Sequence, residues 1–159
     1  INVKSLKLMK IFWEKNNSGK LEISKKSTIS KRLIEIAVVA ASFQNKCQYC
    51  IVHHSSILVD LGLKPDVISN ITKLGQKGLS EEEVLVRDYA LSVTDKAWKV
   101  DESLFVKLKK FFSEAEIVEL TMRIALTGLF NKVNQALGIE MEEGLMAQLM
   151  SKGISTENL

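Results

Sequence analysis

The stretch Glu35-Ile-Ala-Val-Val-Ala-Ala-Ser-Phe-Gln-Asn-Lys-Cys47-Gln-Tyr-Cys50-Ile-Val-His53-His54 decides how this chain is read. Its first half, from Leu33 to Ala41, is apolar at every position except Glu35. A helix that is apolar all round is a buried one. The pattern therefore predicts a core helix over Ile29–Phe43, with Ser27 or Ser30 as its N-cap. Glu35 is then a carboxylate inside the protein. The second half places Asn45 before a further helical pattern running from Lys46 to about Leu61, with Gly62 as the glycine just past its end. Asn45 is expected to cap that helix, which puts Cys47 in its first turn and Cys50 one turn later.

Working outward, the same helical reading extends along the chain. It has 159 residues but only eight glycines and one proline, roughly half the usual share. Sandwiches and barrels need a turn every ten residues or so, and turns consume those residues. Val3–Trp13 has apolar residues at helical spacing, and Asn16–Lys20 breaks the pattern with turn chemistry. Leu8, Met9, Phe12 and Trp13 on that first helix read as core or subunit contact. Pro65 opens a helix over Pro65–Leu74. Ser80–Glu83 and Ser113–Glu116 are capping boxes that start two more. Asp101 caps a short helix over Glu102–Phe111, the helix from Ser113 runs to Leu137 and stops at Gly138, and Glu140–Met150 forms the last. Leu145, Met146, Leu149 and Met150 on that helix are candidates for an oligomer seam. The expected fold is all-α: a compact array of about seven or eight helices in a single domain over residues 1–159.

Composition narrows the function classes. No apolar run approaches the ~20 residues that span a bilayer, and no export signal is visible, so the expectation is a soluble, cytoplasmic protein with no membrane partner. Residues 1–32 carry a net +7 and the remainder −4, giving +3 in all. The lysines of the basic third are scattered singly, without an aromatic platform or arginine cluster. They read as a solvated face, and nucleic acid is not an expected partner. Two cysteines three residues apart constrain almost nothing in the unfolded chain, so their role is chemical rather than architectural.

That chemistry follows from position. A helix N-terminus offers free N–H groups and partial positive charge, which favour thiolate over thiol. A neighbouring second cysteine resolves a sulfenic acid or mixed disulfide. Along a helix Cys47, Cys50 and His54 fall within a sector of about 60°, while His53 lies further round. Glu35, buried, needs a partner. The reading is a relay in which Glu35 orients and polarises His54, and His54 takes the proton from Cys50. The structural alternative pairs Glu35 with a cation, for instance Arg123. Phe130, Asn131 and Asn134 draw notice without an assignable role.

The pattern Glu, twelve residues on to Cys, then Cys-x-x-Cys-x-x-x-His resembles the AhpD-like alkylhydroperoxidases of the carboxymuconolactone decarboxylase superfamily, and Glu35, Cys47, Cys50 and His54 meet every spacing. Ser30–His54 resembles that family's core helix pair, and Leu79–Ala90 and Phe130–Gly138 are similar to its peroxidase-related branch. The likeness covers most of residues 30–143. It implies an all-α fold assembling as a homo-oligomer, trimer or hexamer, and an organic hydroperoxide as substrate. It further implies attack by Cys50, resolution by Cys47, a proton relay through Glu35 and His54, and no bound cofactor. Electrons would come from a dithiol donor such as a lipoyl-bearing adaptor protein. One position departs: where better-known members can carry a histidine before the second cysteine, this chain has Tyr49, a poor base with an ordinary pKa of about 10. Tyr49 and His53 are accessory candidates.

Three other readings compete. Cys47, Cys50 and His54 supply three ligands for a structural zinc, which normally takes four, so Glu35 or His53 would have to complete it. A lactone decarboxylase does not require a redox-active pair. A general dithiol–disulfide oxidoreductase or redox sensor uses the same pair and differs only in its substrate.

Overall fold

The computed structural model describes residues 28–154. The expected first helix Val3–Trp13, its apolar residues, the 16–20 turn, Ser27 and most of the basic third lie outside the described residues. Within them the chain is all-helical: α1 (Lys31–Gln44), α2 (Gln48–Asp60), α3 (Pro65–Ser69), α4 (Glu81–Lys96), α5 (Glu102–Leu108), α6 (Glu114–Ala136) and α7 (Leu145–Ser151), with a 3-10 turn at Ala97–Lys99. No strand occurs among the described residues, and no helix there is long and apolar enough to cross a membrane.

The all-round apolar helix is the centre, as its sequence demands. α1 packs against α2, α4 and α6, and its residues from Glu35 to Ser42 are buried without interruption. Ala37, Ala40 and Ala41 are fully enclosed, and their small side chains let neighbouring helices approach closely. Ser30 caps α1 by accepting from the Leu33 N–H at 3.3 Å. Both expected capping boxes form: Ser80 with Glu83 starts α4, and Ser113 with Glu116 starts α6. Pro65 opens α3, and Gly62 takes the left-handed φ of 83° that ends α2.

α5 stops at Leu108 rather than Phe111, and three further boundaries differ from the sequence expectation. α3 stops at Ser69 rather than Leu74, because the Asn70 side chain donates to the Asp66 carbonyl and turns the chain. α7 begins at Leu145 rather than Glu140, after Gly144 at a φ of 79°. Leu145, Met146 and Leu149 then pack on this chain's own core, leaving Met150 as the exposed member of the expected seam.

The last difference matters most. Asn45 does not cap α2; it ends α1. Lys46 follows at a φ of 56°, and the Lys46 and Cys47 N–H groups donate to the carbonyls of Phe43 and Ser42 at 3.1 and 3.0 Å. This is the paired bonding of a Schellman stop, with lysine where glycine is usual. The Asn45 side chain is drawn to α6 instead, donating to Asn131 at 2.9 Å, while Gln135 donates to the Asn45 carbonyl at 2.7 Å. Cys47 is therefore itself the N-cap of α2, and Cys50 stands at its third position.

Candidate functional site

Because Cys47 caps α2 and Cys50 lies three residues on, their sulfurs occupy the places where a capping serine and its N3 partner would meet. The Cys47 thiol donates to Cys50 across 2.8 Å, and both cysteines are free and buried. Asn134 on α6 donates to the Cys50 sulfur from the other side at 3.3 Å. The Cys50 thiol is lowered to about 6, chiefly by the Cys47 hydrogen bond. Burial opposes this, and Asn134, Asn131 and the charge of His54 reinforce it. Cys47 is pushed the other way, because its thiol donates a hydrogen bond to its neighbour and is itself buried. The pair thus divides its labour: Cys50 holds the negative charge and Cys47 keeps the hydrogen.

Glu35 and His54 meet as the spacing predicts. Glu35 is 8% exposed, and its Oε2 lies 2.7 Å from His54 Nδ1, an ideal length for a charge-assisted bond. Against a carboxylate, which only accepts, Nδ1 carries the hydrogen, so the bond fixes the tautomer and leaves Nε2 as the basic nitrogen. The pairing with Arg123 does not form; Arg123 reaches Glu119 instead, at 3.4 Å.

The two accessory candidates line the same cavity as Cys50 but bond to a different carboxylate. Glu142, on the loop before α7, accepts from the Tyr49 hydroxyl at 3.0 Å and pairs with His53 Nε2 at 3.1 Å. The Tyr49 and His53 rings lie 4.4 Å apart. Burial and the Glu142 carboxylate push the Tyr49 hydroxyl up to about 12, so it stays protonated and is no base.

A cavity of about 670 Å³ brings these groups together: Cys50, Glu35 and His54 open into it among Ile34, Val38, Ile57, Leu126 and Phe130. Cys47 does not. It faces a second cavity of about 200 Å³ with Lys46, Gln48, Gln135 and Ile139. Tyr49 and Asn134 line both and form the partition between them. Among the described residues no three His, Cys, Asp or Glu side chains converge in a metal-holding arrangement.

Sequence reasoning named Asn131 and Asn134 without a role and did not see Glu142. Asn131 donates to Ser42 at 3.2 Å while accepting from Asn45, so it ties α6 to the turn that delivers Cys47. The readable signal was two amides three apart on one face of a long helix, where a buried amide needs partners. Glu142, one of several acids in its loop, offered none.

The arrangement defines a class: a helical domain carrying a buried dithiol beside a carboxylate–imidazole pair. Residues 11–75, which include all four of these residues, match the Carboxymuconolactone decarboxylase family. No curated protein matches. Among solved structures the chain is similar to an AhpD-core, uncharacterized peroxidase-related protein from Ralstonia eutropha JMP134, at 26% identity and a TM-score of 0.67 over 76% of this chain. The likeness spans 64% of that protein's length. An uncharacterized peroxidase-related protein from Silicibacter sp. TM1040 shares the fold at 20% identity and a TM-score of 0.73, covering 93% of this chain and 75% of that one. The debrominase Bmp8 does so at 21% and 0.68, covering 82% and 70%. The match over residues 11–75 and the shared fold make the chain similar to AhpD-like, peroxidase-related proteins.

Proposed function

We propose that the protein is a thiol-dependent peroxidase that reduces organic hydroperoxides through a Cys47–Cys50 dithiol–disulfide cycle. The observation that carries this reading is the polarised pair, a Cys50 thiol lowered to about 6 by the Cys47 thiol 2.8 Å away, opening into an apolar cavity beside Glu35 and His54. The Cys50 thiolate attacks the terminal oxygen of R–O–OH. The O–O bond breaks, the hydroxyl oxygen stays on Cys50 as a sulfenic acid, and the departing alkoxide takes a proton through His54 to leave as the alcohol. Glu35 holds the imidazole oriented and stabilises it while it is protonated. Cys47 then attacks the Cys50 sulfur, water leaves, and the disulfide forms. Two electrons and two protons from a dithiol donor, for instance a lipoyl-bearing adaptor protein, restore the pair. The reading extends to a cytoplasmic homo-oligomer, trimer or hexamer, without a bound cofactor.

A general dithiol–disulfide oxidoreductase would use the same sulfurs. The mainly apolar lining of the cavity on the Cys50 side favours a small apolar oxidant over a protein disulfide. The test is mass spectrometry of reduced protein exposed to cumene hydroperoxide: a loss of two hydrogens is expected. Cys50→Ser abolishes it, and Cys47→Ser leaves a sulfenic acid that dimedone captures. Thiols that survive the hydroperoxide unchanged overturn the proposal.

A further inference from the structure

One wall of the Cys50 cavity is a single face of α6: Arg123, Thr127, Asn131 and Asn134 recur at intervals of four, four and three residues, with Leu126 and Phe130 beside them. Asn134 marks the end where it touches the Cys50 sulfur. Arg123 lies eleven residues earlier on the same face, about 16 Å away along the helix axis. The apolar lining between them is Leu126 and Phe130 from α6 and Ile34, Val38 and Ile57 from α1 and α2, with Thr127, Asn131 and the Glu35–His54 pair as its polar members. The cavity thus has a reactive sulfur at one end, a mainly apolar stretch between, and a guanidinium at the other.

That guanidinium is only partly consumed by the fold, through an i,i+4 ion pair with Glu119. Its Nη2 makes a long contact of 3.4 Å with Glu119 Oε1, beyond the usual range for such a bond. Its Nε is buried and meets no protein acceptor. A buried N–H without a partner is costly, and more so on a charged group. The Nε edge of an arginine presents two parallel N–H donors, a fork that matches a carboxylate and that no hydroxyl or ester satisfies equally. The negative groups of the cavity are accounted for elsewhere: Glu35 is bonded to His54, and the Cys50 sulfur is held by Cys47 and Asn134.

We propose that Arg123 is a headgroup site for the carboxylate of an elongated amphipathic acid, so that the substrate class is a hydroperoxide of an aliphatic carboxylic acid, held with its apolar chain along α6 and its peroxide toward Cys50. The inference rests on the peroxidase reading for the peroxide but not for the acid, and the experiment separates the two. Decanoate and decanol, matched in chain and lacking any peroxide, are titrated by calorimetry into the reduced protein. Decanoate is expected to bind more tightly by about tenfold or more, the increment of a charge-assisted bond. Arg123→Gln erases the difference while leaving decanol binding intact. Arg123→Lys, which keeps the charge but not the fork, retains part of it. Equal binding of the two probes by the unaltered protein, or a decanoate preference that survives Arg123→Gln, overturns the proposal.

The kinetic arm compares a fatty acid hydroperoxide with its methyl ester. Arg123→Gln is expected to raise KM for the acid alone and to leave kcat unchanged, since Arg123 positions the substrate and does not touch the reacting oxygens. A fall in kcat for acid and ester alike would assign Arg123 to the scaffold and refute the site. If decanoate binds as expected but no hydroperoxide oxidises Cys50, the peroxidase reading fails and the acid site stands.

Discussion

Two carboxylate–histidine pairs are built on adjacent residues of α2, and they differ in the burial of the carboxylate. Glu35 meets His54 at 2.7 Å with its side chain 10% exposed, beside Cys50 in the apolar cavity. Glu142 meets His53 at 3.1 Å with its side chain 49% exposed, and shares itself with Tyr49. In water such a pair is worth little, because solvent screens the charges and competes for the bond. Away from water the same pair fixes a tautomer and keeps a proton on a defined path. The two histidines are equally exposed and both line the cavity; it is the burial of Glu35 against the exposure of Glu142 that makes His54 the candidate for the relay and His53 a strut.

The largest effect expected from this contrast is on peroxide chemistry. Glu35→Gln keeps the shape but removes the charge that supports a protonated His54. It should slow oxidation of Cys50 by cumene hydroperoxide by roughly a hundredfold, the ordinary weight of a general acid–base group. Glu142→Gln should change the same rate less than about threefold, as befits an exposed pair. Stopped-flow measurement of thiol loss decides it, and equal losses in the two variants would erase the distinction.

Next comes the sulfur itself. With Cys50 lowered to about 6, thiolate predominates at pH 7 and is lost as pH falls through that value. Alkylation of Cys50 by iodoacetamide should therefore be flat above about pH 7 and fall tenfold per pH unit well below 6, since the thiolate is the nucleophile. Asn134→Ala removes a hydrogen bond made to the charged form and should move the midpoint up by about one pH unit. A midpoint near the ordinary thiol value in the unaltered protein would show that Cys47 does not polarise its neighbour.

The contrast also explains what the sequence disclosed. Glu35 was legible because its neighbours are apolar on every side, so its burial could be read from the pattern alone. The capping boxes at Ser80 and Ser113 were legible because both partners lie within four residues. Asn45 was misassigned because local chemistry suits an N-cap equally well, and only Asn131, 86 residues away, draws its side chain across to α6. Glu142 was invisible for the same reason: Tyr49 and His53 lie about ninety residues upstream, and nothing near Glu142 marks it. The sequence alone offers Arg123 as an alternative partner for Glu35, and in the fold Arg123 reaches Glu119 instead.

A smaller effect concerns the exposed cluster. Glu142→Gln removes the carboxylate that accepts from the Tyr49 hydroxyl and disfavours its ionisation, leaving burial as the remaining cause. The Tyr49 phenol should then titrate below about 12, moving toward its ordinary value near 10. Ultraviolet absorbance of phenolate across that range follows it, with Tyr89, the other tyrosine, removed as Tyr89→Phe in both proteins. An unmoved titration would mean that Glu142 does not govern Tyr49, and the partition between the two cavities would lose its latch.

The smallest effect tests the turn on which both pairs depend. Lys46 adopts a φ of 56°, a conformation that costs a non-glycine residue about 1 kcal/mol or somewhat more. Ending α1 there makes Cys47 the cap of α2, sets Cys50 beneath it, and fixes the phase of the helix that points His54 at Glu35 and His53 at Glu142. Lys46→Gly relieves the strain, and its expected gain in unfolding free energy is about 1 kcal/mol, read from denaturant titration at constant slope. The lowered Cys50 midpoint should stay in place, because the bonds from Lys46 and Cys47 to Phe43 and Ser42 are made by backbone N–H groups that glycine also has. A loss of stability would instead mean that the lysine stem contributes packing over the Cys47 cavity it lines, and that the turn is held by its side chain as well as by its backbone.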